Sequence, residues 1–263
     1  MLQPDNWGWK ARIGLFIVSS EAVPEAEWWA MAPPGVSVHA ARVKASTPWA
    51  KWDDAKNAVV PEADLERGAQ QFADMRLSAV VVGHSSSSLL GGKGWDDAVV
   101  KQLSEIVGPD THVTTNGLDC MAALKASGVH KPFLVFPAWF GPSVHEKGSQ
   151  YFIDHGFAPS GVMQFDPGRN WRDLPPERLY PEGMGFDQDI ESLYRQIRTA
   201  CPVEADGVLI IGTGFRCVGI LQSLEDDLGK PVVSANQASL WNCLGLCGVQ
   251  ANIAGYGRLL QGV

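Results

Sequence analysis

The segment SAVVVGHSS, residues 78–86, carries the strongest indication of the fold. A short run of apolar, β-branched residues that ends in glycine and small polar residues is typical of a buried strand followed by a turn. The next segment, DDAVVKQLSEIV (96–107), has apolar residues at helical spacing. The pair DGVLIIGTG (206–214) and CVGILQSLEDDLG (217–229) repeats this order. Strands that alternate with helices predict parallel sheets covered by helices on both faces.

Similar segments extend outward from both pairs. The first half adds predicted strands at 12–20, 36–43 and 111–116 and a helix at 63–75; the second adds strands at 132–137, 161–165 and 231–237 and helices at 144–156 and 187–200, the latter with Asp187 as N-cap. The order thus recurs after about 115 residues, which is too long for a solenoid repeat and suits two similar lobes. We predict an α/β protein in which residues 1–114 and 237–263 form the first lobe and residues 115–236 the second.

The composition indicates a globular protein that binds a small molecule. The formal net charge of -8 argues against a nucleic-acid or membrane-surface partner, because both require a basic face. No apolar run approaches the ~20 residues of a membrane span, and the N-terminal residues do not resemble a signal peptide, so we expect a cytoplasmic protein. The five cysteines show neither a disulfide framework nor metal-ligand spacing, which predicts reduced thiols and no metal site.

The turns after the strands are the expected place for a ligand, since ligands of open parallel sheets bind at the carboxyl ends of the strands. The predicted binding residues in these turns are Ser20, Gly83, Ser85, Ser86, Ser87, Asn116, Gly212, Thr213, Gly214 and Asn236. Trp139 directly follows a strand, and an indole there is expected to contribute apolar pocket surface. Residues 165–189 form a long Pro- and Gly-rich connection, which predicts a lid over the site or a contact within a homo-oligomer.

Seven motifs spread over nearly the whole chain resemble one enzyme group. They are RIGLFIVSS (12–20), PGVSVHAARV (34–43), VVVGHSSSS (80–88), TTNGLDCMAALKASGV (114–129), VLIIGTGFR (208–216), LGKPVVSANQASLW (228–241) and GYGRLL (255–260). Together they resemble maleate isomerases, arylmalonate decarboxylases and their relatives in the aspartate/glutamate racemase superfamily. The resemblance implies two pseudo-symmetric lobes, an active site between them, and neither a metal nor an organic cofactor. It also implies one cysteine from each lobe that moves a proton at, or adds to, the carbon beside a carboxylate.

This sequence departs from the family at the positions that matter most for that chemistry. Gly83 stands where the first cysteine is expected and Gly212 where the second is expected. Glu21 replaces an asparagine that helps to hold a substrate carboxylate, and the tyrosine after the PFLVF strand corresponds to Ala138 or Phe140. We expect Glu21 to repel a second carboxylate. Isomerisation of a small dicarboxylate such as maleate is therefore not expected.

Three other residues are candidates for the chemistry. His84, at a strand end, could shuttle a proton near neutral pH, or could only bond a neighbouring turn. Cys217, at a predicted helix start, could be a thiolate, or could pack beneath the turn as a small apolar residue. Glu21 could be a general base or recognise a cationic or hydroxyl-bearing substrate, or could be a solvated loop carboxylate.

These residues favour a cofactor-independent carbon-acid enzyme, of isomerase, racemase or decarboxylase type, that forms an enolate-like intermediate. The substrate is expected to be bulkier than maleate, because Trp139 and its neighbours add apolar surface to the pocket. Two alternatives remain open. One is a hydrolase or retro-aldol lyase in which His84 and Glu21 activate water or a hydroxyl group. The other is a binding protein without catalytic activity.

Overall fold

The computed structural model describes residues 5–250 and 252–262, and it contains ten strands. The strands are β1 (Ala11–Val18), β2 (Val36–Val43), β3 (Ala50–Asp53), β4 (Ala58–Pro61), β5 (Ala79–Val82), β6 (His112–Thr115), β7 (Pro132–Phe136), β8 (Gly161–Gln164), β9 (Gly207–Ile210) and β10 (Val232–Ser234). The α-helices are α1 (Val23–Met31), α2 (Ala63–Ala73), α3 (Ser85–Gly91), α4 (Trp95–Val107), α5 (Asn116–Ala126), α6 (Pro142–Asp154), α7 (Pro176–Leu179), α8 (Met184–Asp187), α9 (Ile190–Ala200), α10 (Leu221–Leu228) and α11 (Ala235–Leu246). Short 3-10 helices lie at Val218–Ile220 and Arg258–Gln261.

Two four-stranded parallel sheets form the frame of the molecule. The strand order is β2-β1-β5-β6 in the first sheet and β8-β7-β9-β10 in the second. With the antiparallel β3-β4 hairpin set aside, each sheet has the same order: the second strand of its half, then the first, the third and the fourth. The prediction of an α/β fold with two pseudo-symmetric lobes is confirmed. The exact lobe boundaries stay a prediction.

The core explains why the strands lack an alternating pattern. Every residue of β5, β7 and β9 is buried, as expected for parallel strands covered on both faces. One continuous apolar cluster contains residues of both sheets, among them Leu15 and Val81 of the first and Val135 and Ile210 of the second. The lobes also meet through α5 and α11, where the side-chain amide of Asn116 donates to the hydroxyl of Ser239 at 2.9 Å. The two sheets therefore share one interior.

Several helices were not predicted, and their burial gives the reason. Helices α5 and α11 have buried residues on most of their surface, so they lack the single apolar face that reveals a helix in sequence. Helix α3 begins only three residues after β5, and α1 directly follows the turn after β1.

The predicted N-cap at Asp187 is wrong: Asp187 ends α8. Asp189 caps α9, and its side chain accepts from the amides of Glu191 and Ser192, both at 3.0 Å.

Within the ranges that the structure describes, no helix is both long enough and apolar enough to cross a membrane.

Candidate active site

A cavity of about 300 Å³ lies at the carboxyl ends of the central strands of both sheets. The first half of the chain lines it with Val18, Ser20, Glu21, Thr47, His84, Ser85, Ser86 and Leu90; the second half with Trp139, Phe140, Val144, Tyr180, Pro181, Gly212, Thr213 and Gly214. No lysine or arginine belongs to this lining. A ligand here would meet uncharged donors and aromatic surface, with Glu21 as the one carboxyl group.

The two site turns, residues 83–86 and 212–214, meet directly. The Thr213 hydroxyl donates to the carbonyl of Gly83 at 2.9 Å, and so joins the turn of one lobe to that of the other. Helix α3 begins at Ser85, so the amides of Ser85 and Ser86 have no acceptor inside the helix. No acceptor for the amides of Thr213 and Gly214 occurs among the residues described. These N–H groups, all on cavity-lining residues, are suited to bind an oxyanion.

Glu21 is 7% exposed, although it follows a strand in a turn. Its backbone is held by hydrogen bonds from its amide to Val18 and from Arg42 to its carbonyl, at 3.0 and 2.6 Å. Its Oε2 atom has no hydrogen-bond partner among the described residues. A Cβ atom at Gly214 would lie 2.5 Å from Oε1, so glycine there makes room for the carboxyl group.

Burial raises the pKa of Glu21 from 4.5 to about 8. The protonated form of the side chain consequently predominates at pH 7. The predicted repulsion of a second carboxylate is therefore not supported at neutral pH. A carboxyl group that titrates near 8 can donate or accept a proton under ordinary conditions.

Tyr180 is one of seven cavity-lining residues that the sequence did not identify as site residues. It follows α7 in the long connection 165–189, which places part of that connection over the site, as a lid would lie. Its ring packs edge-on against Trp139, with centroids 4.9 Å apart, and its hydroxyl is buried without a partner in the described part of the chain. Burial, and secondarily the charge of Glu21, raise the pKa of Tyr180. Phe140 lines the cavity at one of the two positions aligned with the family tyrosine.

His84 lines the cavity in a neutral form. Its ring stacks on Trp49 at 4.1 Å, and burial lowers its pKa to about 3. Its Nδ1 atom lies 2.8 Å from the Ser87 hydroxyl, which accepts from the amide of Trp49 at 2.9 Å. We assign the Ser87 proton to Nδ1, which places the imidazole proton on Nε2. His84 is thus better suited to donate a hydrogen bond than to shuttle a proton.

The two glycines at the expected cysteine positions are required by the backbone around them. A Cβ at Gly83 would lie 2.7 Å from both the carbonyl oxygen of Phe16 and a methyl group of Leu15. Gly212 has φ = 106°, a conformation that side-chain-bearing residues rarely adopt, and its Cβ would lie 3.1 Å from Pro137. At both positions where the family has a cysteine, the backbone of this protein therefore favours glycine.

Five predicted site residues do not line this cavity: Gly83, Ser87, Asn116, Asn236 and Cys217. The side-chain amide of Asn116 donates to Ala235 and Ser239, and its oxygen accepts from Ser85 at 2.6 Å. Both amide hydrogens of Asn236 are also used, toward Glu27 and Thr213. These two asparagines support the turns and have no donor left for a substrate.

Cys217 does not have the environment of a catalytic thiolate. It is 2% exposed, and burial raises the pKa of its thiol well above the ordinary value, with the charge of Glu27 acting in the same direction. The amides of Cys217 and Val218 both donate to Glu27. The expected position in the first turn of an α-helix is wrong, because Cys217 precedes a short 3-10 helix and α10 begins only at Leu221. The backbone amides at this point already donate to a carboxyl group of the protein.

Nine predicted site residues do lie together around the cavity: Ser20, Glu21, His84, Ser85, Ser86, Trp139, Gly212, Thr213 and Gly214. Across residues 5–250 and 252–262, no group of three or more His, Cys, Asp or Glu side chains could hold a metal ion.

The family model of arylmalonate decarboxylase matches residues 184–260 of this chain. No curated protein matches the sequence significantly. The structure is similar to maleate isomerase from Pseudomonas putida S16, with 18% identity, a TM-score of 0.79, and coverage of 96% of this chain and 98% of that chain. It is also similar to maleate cis-trans isomerase from Nocardia farcinica bound to Tris, and to an arylmalonate decarboxylase crystal structure. Both have 20% identity, a TM-score of 0.71, and coverage of 95% of this chain and 98% of the other.

These matches confirm the resemblance to maleate isomerase and arylmalonate decarboxylase and establish their fold for this chain.

Proposed function

We propose that this protein is a cofactor-independent isomerase or decarboxylase that forms an enolate-like intermediate beside a carboxylate or carbonyl group. In this proposal Glu21 transfers the proton, and the two turns with His84 stabilise the oxyanion. The observation that carries the proposal is the Glu21 carboxyl group, which is buried in the cavity wall with one oxygen unpartnered among the described residues.

The oxyanion would be bound by neutral donors that are in place before reaction. The amides of Ser85, Ser86, Thr213 and Gly214 and the Nε2–H of His84 all belong to cavity-lining residues. Donors that are fixed where negative charge develops stabilise the transition state more than the ground state, and one such donor is worth roughly 10²–10³ in kcat. The Thr213 hydroxyl joins the two turns to each other, and the Asn116 side chain accepts from the Ser85 hydroxyl, so little reorganisation is needed.

Glu21 would move the proton in either reaction. In isomerisation, the Glu21 carboxylate accepts the proton from the carbon beside the substrate carboxylate, and the C–H electron pair enters the enolate. The protonated Glu21 then delivers the proton to a second carbon that is conjugated with the enolate, so that the double bond shifts. In decarboxylation, the C–C electron pair enters the enolate, CO₂ leaves, and protonated Glu21 supplies the proton to carbon. The pKa of about 8 makes both forms available near neutral pH.

The lining favours a bulky monoacid or a neutral carbonyl compound. Trp139, Phe140 and Tyr180 form an aromatic wall, and no cation is present in the lining to pair with a second carboxylate. One Nocardia farcinica structure contains a covalent succinylcysteine intermediate. No cysteine lines the cavity described here, so a thioether intermediate of that kind is not part of the proposal.

The hydrolase or retro-aldol alternative is less well supported. It requires His84 as a base, and a histidine with a pKa of about 3 is a weak base at neutral pH.

The proposal can be tested by incorporation of deuterium from D₂O. Phenylacetate serves as the probe carbon acid, and incorporation at its α-carbon is followed by NMR. We expect incorporation by the wild-type protein and at least a roughly 100-fold slower rate for Glu21→Gln, because the amide cannot exchange a proton with carbon. Glu105→Gln on the exposed surface of α4 is the matched control and should behave as wild type. Equal rates for wild type and Glu21→Gln would contradict the role of Glu21.

A further inference from the structure

Glu27 is a buried carboxyl group that the proposed chemistry does not use. It lies on α1 of the first lobe and is 4% exposed. Its Oε1 atom accepts from the amides of Cys217 and Val218, at 2.6 and 3.0 Å, just beyond the site turn of the second lobe. Burial raises the pKa of Glu27, whereas these N–H donors oppose the shift. A polar group is rarely buried this deeply without a structural or functional reason.

The other oxygen of Glu27 connects to the site turn itself. Oε2 accepts from the side-chain amide of Asn236 at 2.6 Å. The same nitrogen donates its second hydrogen to the carbonyl of Thr213 at 2.8 Å, and the Thr213 hydroxyl donates to Gly83. A continuous hydrogen-bonded chain therefore runs from Glu27 through both turns that line the cavity.

The other lobe contains a corresponding arrangement. Helix α6 follows β7 just as α1 follows β1, and its Tyr151 donates to Oδ2 of the buried Asp96 at 2.7 Å. The opposite oxygen of Asp96 accepts from Ser88 of α3, the helix that begins at the first site turn, at 2.7 Å. In each case a buried carboxyl group links a helix of one lobe to the segment that follows the site turn in the other lobe, at Cys217 and Val218 in the first case and at Ser88 in the second. The recurrence argues that the contact serves the site.

We propose that Glu27 is a positioning residue that fixes the oxyanion-binding turn 212–214 through Asn236 and couples it to the turn at Gly83. The inference rests on the proposed function, because it assigns a purpose to the amides of that turn. Glu27 does not line the cavity, so it acts on the turn only through other groups.

Glu27→Gln is the most informative variant because it preserves shape. Its amide oxygen can still accept from Cys217 and Val218, which keeps the local fold. The amide nitrogen of the new glutamine faces the side-chain nitrogen of Asn236, so two hydrogen-bond donors oppose each other. Asn236 must then break its hydrogen bond either to residue 27 or to Thr213.

Two measurements separate positioning from general stability. The first is hydrogen exchange by mass spectrometry over peptides that cover 206–219, compared with the rest of the chain. The second is the Kd of phenylacetate from calorimetry, for Glu27→Gln, Asn236→Ala and the double variant. We expect faster exchange confined to the turn and at least tenfold weaker binding in each single variant. The double variant should bind no more weakly than the weaker single variant, because residues that act in one chain are not additive. Glu105→Gln is the control.

Unchanged exchange at 206–219, exchange that increases uniformly over the chain, or additive losses in the double variant would overturn the inference. If the wild-type protein does not bind phenylacetate, the assumed substrate class fails. The exchange measurement then decides the role of Glu27 alone: faster exchange confined to the turn supports it, and unchanged exchange refutes it.

Discussion

Replacing Glu21 with glutamine should stabilise the protein, by an amount that depends on pH. The carboxyl group has a pKa near 4.5 when unfolded and about 8 in the folded state. Because the pKa of Glu21 is raised in the folded state, the contribution of this carboxyl group to the free energy of unfolding is fully present below pH 4.5. That contribution is lost as the pH rises through 8. At pH 7 the loss is about 3 kcal/mol, since each pKa unit between 4.5 and 7 corresponds to about 1.4 kcal/mol. That is a large share of a typical folding free energy of roughly 5–15 kcal/mol.

Urea denaturation of wild type and Glu21→Gln at pH 4.5, 7 and 9 measures this difference. Asp119 also has a raised pKa, about 7, but it is present in both proteins, so the difference between them isolates Glu21. We expect similar stability at pH 4.5 and a growing advantage for the glutamine variant at pH 7 and 9. A difference that does not change with pH would refute the assignment of a raised pKa to Glu21.

Three further predictions follow from the same geometry. Deuterium exchange into phenylacetate should rise with pH and level off above about 8, because proton abstraction needs the carboxylate form of Glu21; a rate–pH profile that is flat between 6 and 9 would disagree. His84→Ala should lower kcat by roughly 10²-fold with a smaller effect on the unfolding free energy, as expected for a lost oxyanion donor; unchanged kinetics in a steady-state assay would return His84 to a structural role. Gly83→Cys should lower the free energy of unfolding by about 1–3 kcal/mol, because its side chain clashes with the carbonyl oxygen of Phe16. Gly212→Cys should lower it by a similar amount because of the positive φ at that position, and urea denaturation measures both. A fully stable variant with thiol-dependent activity would contradict this.

Much of the frame could be predicted because parallel strands have a local signature. The runs VVV before Gly83 and VLII before Gly212 are continuous and apolar, and both form buried central strands that end at the cavity. The turns that follow them were therefore placed at the site from sequence. Helices α5 and α11 gave no such signal, since each is covered by the other and by both sheets.

The chemistry of the site depends on contacts that span the chain. Glu21 is protonated near neutral pH only because Gly214, from the other lobe, leaves a buried space for its carboxyl group. Tyr180 reaches the cavity from a connection whose path is set by packing on Trp139. Cys217 precedes a short 3-10 helix and does not lie in the first turn of α10, and Glu27 of the opposite lobe accepts from the backbone amides there. None of these partners is adjacent in sequence, so spacing could not reveal them.

The central claim is that Glu21 faces the reacting carbon of a bound acid, and a crystal structure of the Glu21→Gln variant with phenylacetate tests it most directly. The account predicts the carboxylate against the amides of Ser85, Ser86, Thr213 and Gly214, the ring against Trp139, and the α-carbon roughly 3–3.5 Å from the substituted side chain. Phenylacetate bound in this cavity with its α-carbon turned away from residue 21, or bound only elsewhere on the protein, would contradict the account.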